Sequence, residues 1–126
     1  MQKKKILIVD DEETFGKIVK LNLEETGEYV VRVENKGERA MDSIKEFEPD
    51  IIFLDIIMPD VDGAQVARQI SSDESLKQIP VVFLTAMVKE REVTSQKSII
   101  AGLPYPCIAK PVTVQKLIEC IKKNVL

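Results

Sequence analysis

Five polar residues each stand at the end of a short apolar run. Asp10 and Asp11 follow ILIV, Asp55 follows IIFL, Thr85 follows VVFL and Lys110 follows CIA. Carboxylates about 4 Å apart would repel one another by about 4 kcal/mol per pair at an effective dielectric near 20, so three together need a cation. Oxygen ligands without histidine favour Mg²⁺. Magnesium beside a lysine and a hydroxyl suggests phosphoryl chemistry, with a carboxylate as the nucleophile.

Each of these residues also has an ordinary structural explanation. Asp11 could cap the first helix, Thr85 could be a satisfied strand hydroxyl, and Lys110 could be a solvated surface cation. Asp55 could cap the MPDVDG loop that follows it. Because four strand ends carry such residues, the chemical interpretation explains them together, and Asp55 is the predicted nucleophile.

The apolar pattern alternates between strands and helices along the whole chain. The predicted strands are KKKILIVD, YVVRV, DIIFLD, PVVFLTA and PYPCIAK. The predicted helices are TFGKIVKLNLEETG, closed by Gly27, then GERAMDSIKEFEP, AQVARQI with Asp62 as N-cap, KEREVTSQKSIIAG and VTVQKLIECIKKNVL. Five such units predict an α/β fold with a doubly wound parallel sheet, covered by helices on both faces. The carboxyl edge of such a sheet binds ligands.

Composition narrows the function further. With 126 residues, 44% of them hydrophobic, the chain is expected to form one domain, residues 1–126. A net charge of −3 argues against direct nucleic acid binding. The apolar runs are too short to insert into a membrane, so a cytoplasmic location is expected. The absence of histidine excludes catalytic triads, histidine-ligated zinc and phosphohistidine carriers.

Four segments in this order, IVDDEE, FLDIIMPDVDG, LTA and AKP, resemble the receiver domain of two-component response regulators. The resemblance covers about residues 4 to 123 and implies the strand order 2-1-3-4-5 of the chemotaxis receiver, with five helices. It implies that Asp55 accepts a phosphoryl group from a histidine kinase or a histidine phosphotransfer protein. Such a chain promotes its own phosphorylation and dephosphorylation and turns over no external substrate.

The resemblance also assigns the surrounding residues. Asp11 and Asp55 would bind Mg²⁺ directly, Asp10 through a water molecule, and Ile57 through its backbone carbonyl. The phosphoryl oxygens would be contacted by the side chains of Thr85 and Lys110 and by the backbone N–H of Ala86. The Lys110–Pro111 bond is expected to be cis.

One position departs from the family pattern. Receivers commonly carry Tyr or Phe three residues before the lysine, where this chain has Cys107. Tyr105 lies two residues earlier, about 6.6 Å further along the strand, so whether it replaces the usual switch aromatic stays open.

Cys107 and Cys120 are predicted to be small buried hydrophobes rather than a disulfide. The charged segment from Lys89 to Glu92 is either a solvated face or a docking surface for an effector or a second receiver.

Three rival functions can be weighed. A magnesium-dependent aspartyl-phosphate phosphatase usually has a second aspartate two residues after the nucleophile, where this chain has Ile57. A flavodoxin-type FMN carrier needs a phosphate-binding first loop, and DDEETF would repel a phosphate. A phosphate-independent interaction module on the same fold stays open, with Cys107 as its only sequence indication.

Overall fold

The computed structural model of this chain describes residues 2–85 and 105–125. Five parallel strands form one sheet in the order β2-β1-β3-β4-β5, which confirms the predicted fold class. The strands are β1 (Lys4–Val9), β2 (Tyr29–Glu34), β3 (Ile51–Asp55), β4 (Val81–Thr85) and β5 (Cys107–Ala109). Four α-helices lie in the described ranges: α1 (Glu13–Glu25), α2 (Ala40–Phe47), α3 (Gly63–Ser72) and α4 (Val114–Asn124). The predicted helix over 89–102 lies outside these ranges.

The core consists of two clusters, one on each face of the sheet. Alternate residues of β1, β3 and β4 contribute to opposite clusters, because successive side chains of a strand point to opposite faces. Helices α2 and α3 cover one face, and α1 and α4 cover the other. All of β3 is buried as a result. This burial explains why β3 is apolar on both sides and reaches a carboxylate only at its last residue.

Helix ends largely follow the sequence signals. Gly27 follows α1 with φ 82°, a left-handed conformation that glycine adopts without a steric penalty. Asp62 is the N-cap of α3, as predicted, and its carboxylate accepts a hydrogen bond from the Ala64 backbone N–H at 2.9 Å. The N-cap of α1 is Glu12 rather than Asp11. Capping therefore does not account for Asp11. Within the described ranges, no helix is long and apolar enough to cross a membrane.

The last strand is shorter than its sequence pattern suggests. The predicted strand PYPCIAK is reduced to β5, three residues long, and Tyr105 precedes it. Pro104 lies outside the described residues. The Lys110–Pro111 peptide bond that follows β5 is cis, as predicted. Cys107 and Cys120 are free and contact clusters on opposite faces of the sheet, so they form no disulfide.

Candidate functional site

Three carboxylates meet at the carboxyl edge of the sheet. Asp10 follows β1 and is fully buried, and Asp55 ends β3 and is 5% exposed. Asp11 is the most exposed of the three, and one carboxylate oxygen from each residue lies within 4.8 Å of the others. Adjacent parallel strands β1 and β3 place their ends side by side, which brings these residues together.

Backbone and amide groups fix the two buried aspartates. The Glu12 backbone N–H donates to Asp10 Oδ1 at 2.9 Å, and the Asn35 side-chain amide donates to the Asp10 carbonyl at 2.9 Å. The Ile57 backbone N–H donates to Asp55 Oδ1 at 3.3 Å. The two backbone N–H bonds set the direction of each carboxylate without neutralising its charge, and the Asn35 bond holds the Asp10 main chain.

Lys110 supplies a positive charge to the cluster. Its Nζ lies 2.8 Å from Asp10 Oδ2, 2.9 Å from Glu12 Oε1 and 3.6 Å from Asp55 Oδ2. The Lys110 backbone N–H donates to the Thr85 carbonyl at 2.8 Å, which ties the residue to the end of β4. The lysine side chain is only 13% exposed, so the ammonium interacts with the carboxylates with little screening by solvent.

The pKa values of the cluster residues are shifted by burial and by the charges of neighbouring residues. Burial, followed by repulsion from Asp10, raises the pKa of Asp55 to about 7, although Lys110 opposes the shift. Burial also raises the pKa of Asp10 against the lowering effect of Lys110. Burial alone would lower the pKa of Lys110, but its pairs with Asp10, Glu12 and Asp55 outweigh it and raise that pKa. The site is thus short of positive charge around Asp55 when no other cation is present.

The carboxylate cluster fits a hard divalent cation. The contact between Lys110 Nζ and Asp10 Oδ2 falls outside hydrogen-bond geometry, so this buried oxygen has no hydrogen-bond donor among the described residues. A buried carboxylate oxygen is costly unless its charge is compensated, and the Lys110 ammonium beside it is shared among three carboxylates. Asp10, Asp11 and Asp55 offer only hard oxygen donors, which suit Mg²⁺.

The loop after Asp55 folds tightly back on β3 through Gly63, a residue to which the sequence analysis gave no role. The Gly63 backbone N–H donates to the Ile56 carbonyl at 2.7 Å, and Ile57 pairs with Asp62 in an antiparallel bridge. A Cβ atom at residue 63 would lie 2.0 Å from the Asp55 carbonyl oxygen. Only glycine therefore permits this approach. The DG pair at the loop end was the sequence signal that could have indicated it.

The remaining predicted site residues lie around this centre. Thr85 is the buried last residue of β4, next to the strand end that carries Asp55. Ile57, two residues after Asp55, is 56% exposed. Ala86 lies outside the described residues. Tyr105 packs on the same core cluster as Cys107, with its ring centroid 5.8 Å from that of Phe83.

An open cleft of about 770 Å³ lies beside the cluster. Its walls are the first turn of α1, the loop between β2 and α2, and the loop between β3 and α3. Asp60 joins two of these walls, because its carboxylate accepts the Glu38 backbone N–H at 3.0 Å. Asp11 lines the cleft, so the cleft opens onto one edge of the carboxylate cluster.

The comparisons with known proteins agree on one family. The family model described as the response regulator receiver domain matches residues 6–122. The chain is 34% identical over 119 residues to the polar-differentiation response regulator DivK of Brucella anthropi, covering 94% of each chain. It also resembles two crystal structures. One is a putative response regulator from Chloroflexus aurantiacus, with a TM-score of 0.80, 29% identity and 97% of each chain covered. The other is the BeF3-activated N-terminal receiver domain of Klebsiella pneumoniae RstA, with a TM-score of 0.78, 26% identity, and 96% of this chain and 97% of that one covered. This chain belongs to the response regulator receiver domain family of two-component signalling.

Proposed function

We propose that Asp55 accepts a phosphoryl group in a magnesium-dependent reaction, and that the phosphorylated chain signals through a change of conformation. The observation that carries this proposal is the buried Asp55 carboxylate, with oxygens of Asp10 and Asp11 in a group within 4.8 Å. Lys110 Nζ lies 3.6 Å from Asp55 Oδ2. Family membership supports the same assignment, since receivers are phosphoacceptors in signalling.

The phosphoryl donor must bring its own imidazole, because this chain contains no histidine. A histidine kinase or a histidine phosphotransfer protein would present a phosphohistidine at the cleft. An oxygen of Asp55 attacks the phosphorus atom, the new P–O bond forms as the P–N bond breaks, and the donor imidazole leaves. The product is an acyl phosphate on Asp55.

Residues around Asp55 hold the charges in place. Asp11, Asp55 and the Ile57 carbonyl would hold Mg²⁺ directly, and Asp10 would hold it through water. The ion, when bound, neutralises the carboxylates and the phosphoryl charge. Thr85 and Lys110 side chains and the Ala86 N–H pair with phosphoryl oxygens and keep the group in line for attack.

Hydrolysis of the acyl phosphate in the same site resets the chain without any external substrate. On this proposal, residues 1–126 act as one receiver unit in the cytoplasm. Phosphorylation would change the surface that the unit presents to a downstream effector or, in a phosphorylation-dependent homodimer, to a second copy.

Uptake of one phosphoryl group from a small donor tests the proposal. The protein is incubated with acetyl phosphate or phosphoramidate, with Mg²⁺ or with a chelator, and its intact mass is recorded. One phosphoryl adduct is expected with Mg²⁺, and none with the chelator, because the clustered carboxylates repel the donor when no ion neutralises them. Folded protein that forms no adduct with either donor would support the phosphate-independent interaction module instead.

A further inference from the structure

Glu12 is a charged residue beside the cluster that the proposed function does not use. It lies next to Asp11 in the sequence, and its carboxylate turns back to accept a hydrogen bond from Lys110 Nζ at 2.9 Å. The same nitrogen lies 2.8 Å from Asp10 Oδ2 and 3.6 Å from Asp55 Oδ2. Lys110 therefore lies closest to the two carboxylates that would not accept the phosphoryl group.

We propose that Glu12 is a positioning residue for phosphoryl transfer, which holds the Lys110 ammonium beside Asp55. A lysine ammonium has three N–H donors. Glu12 accepts a hydrogen bond from one of them and Asp10 Oδ2 lies in ionic contact with the same nitrogen, which leaves a donor for an oxygen of the incoming phosphoryl group. This inference rests on the proposed function, because it assigns Glu12 to the same reaction.

Three observations favour positioning over a purely structural role. Glu12 is the N-cap of α1, but its side chain makes no capping hydrogen bond. Its backbone is fixed independently, by the bond from its N–H to Asp10 Oδ1. The Phe15 ring, on the same turn of α1, lies 5.3 Å from Lys110 Nζ and adds a cation–π contact. The first turn of α1 thus directs a carboxylate and an aromatic ring at one ammonium.

Positioning matters here because the lysine side chain is long and flexible. A free lysine side chain loses much of its rotamer entropy when it is ordered. If Glu12 and Asp10 hold the ammonium before the donor arrives, that loss does not add to the barrier of phosphoryl transfer. The consequence should appear in the rate of the chemical step rather than in the affinity for the donor.

The test compares Glu12→Ala and Glu12→Gln with the neighbouring control Glu13→Ala. Glu13 lines the same cleft and carries the same charge, but the ion pairs of Lys110 involve Asp10, Glu12 and Asp55. Phosphorylation is followed over a series of acetyl phosphate concentrations at saturating Mg²⁺, which yields a limiting rate and a half-saturating concentration. Circular dichroism confirms that each variant is folded.

Glu12→Ala should lower the limiting rate about tenfold and change the half-saturating concentration less than about twofold. Glu12→Gln, which keeps an acceptor oxygen, should recover part of the rate, and Glu13→Ala should stay within about twofold of wild type. An unchanged limiting rate in Glu12→Ala, or an equal loss in Glu13→Ala, would overturn the inference.

A second readout needs no phosphoryl donor. In heteronuclear NMR, the Lys110 ammonium protons, assigned with Lys110→Arg, should exchange with water faster in Glu12→Ala than in wild type or Glu13→Ala. Equal exchange in all three proteins would overturn the inference while leaving the proposed function intact. Failure of folded wild-type protein to form any adduct would instead overturn the proposed function, and this inference with it.

Discussion

Asp55→Asn should raise the free energy of unfolding of the metal-free protein by about 2 to 4 kcal/mol at pH 8. The reason is the unfavourable environment of this carboxylate, where burial and the charge of Asp10 raise the pKa of Asp55 from its ordinary value of 3.8 to about 7. An amide has no charge to desolvate, and its oxygen can still accept the bond from the Ile57 N–H. The substitution therefore removes a cost and keeps the local hydrogen bond.

The sign of the pH dependence follows from the raised pKa of Asp55. Below about pH 4 the Asp55 carboxyl is protonated in both the folded and the unfolded chain, so it contributes nothing. Between about pH 4 and 7 the unfolded chain releases the proton while the folded chain retains it, so wild-type stability should fall relative to that of Asp55→Asn as pH rises. Above about pH 7 the difference is complete, and the gap between wild type and Asp55→Asn should be constant.

Urea unfolding in the presence of a chelator, at several pH values from 4 to about 8, measures this gap. Asp42→Asn removes an exposed carboxylate on α2 and is the matched control, expected to change the free energy of unfolding by less than about 0.5 kcal/mol. Adding Mg²⁺ should stabilise wild type more than Asp55→Asn, because a ligand that binds only the folded state stabilises it. An Asp55→Asn protein less stable than wild type at pH 8 would contradict this account of the cluster.

Gly63→Ala is expected to destabilise the fold by about 3 kcal/mol or more. The added Cβ would meet the Asp55 carbonyl oxygen at 2.0 Å and Ile56 Cα at 2.7 Å, and both of these are backbone atoms that cannot rotate away. To relieve this clash, the loop must move away from β3, and this movement breaks the hydrogen bond from the Gly63 N–H to the Ile56 carbonyl. Because this movement displaces the end of β3, we expect Mg²⁺ binding to weaken as well.

Gly27→Ala provides the matched control for the glycine substitution. Gly27 has φ 82° and no atom within 4 Å of an added Cβ, so alanine there is strained only by its backbone conformation. The expected cost is about 1 kcal/mol. Thermal or urea unfolding of the two variants separates backbone strain from a steric clash. A Gly63→Ala protein as stable as Gly27→Ala would show that the loop has room to relax.

Much of the fold could be predicted from local patterns that tertiary contacts reinforce. The run IIFL predicted a strand covered on both faces, and β3 is buried throughout. Gly27 and Asp62 marked helix ends because their preferred conformations and hydrogen bonds are local. The strand ends indicated which polar residues would share one edge of the sheet, since parallel strands end together.

Other features depend on contacts between residues far apart in the sequence. Glu12 and Lys110 are separated by 98 positions, and no local pattern indicates that their side chains meet. The close approach at Gly63 depends on how the loop returns to β3, which its turn residues permit but do not specify. The last strand is shorter than its apolar pattern, since the hydrogen bonds that define it depend on β4.

The most direct test of the central claim is to locate the phosphoryl group. Protein treated with acetyl phosphate and Mg²⁺ is reduced with borohydride, which converts an aspartyl phosphate to homoserine, and is then mapped by peptide mass spectrometry. We predict homoserine at residue 55 in wild type and no reduced residue in Asp55→Asn. Homoserine at residue 10 or 11, or equal reduction in Asp55→Asn, would contradict the assignment of Asp55 as the phosphoacceptor.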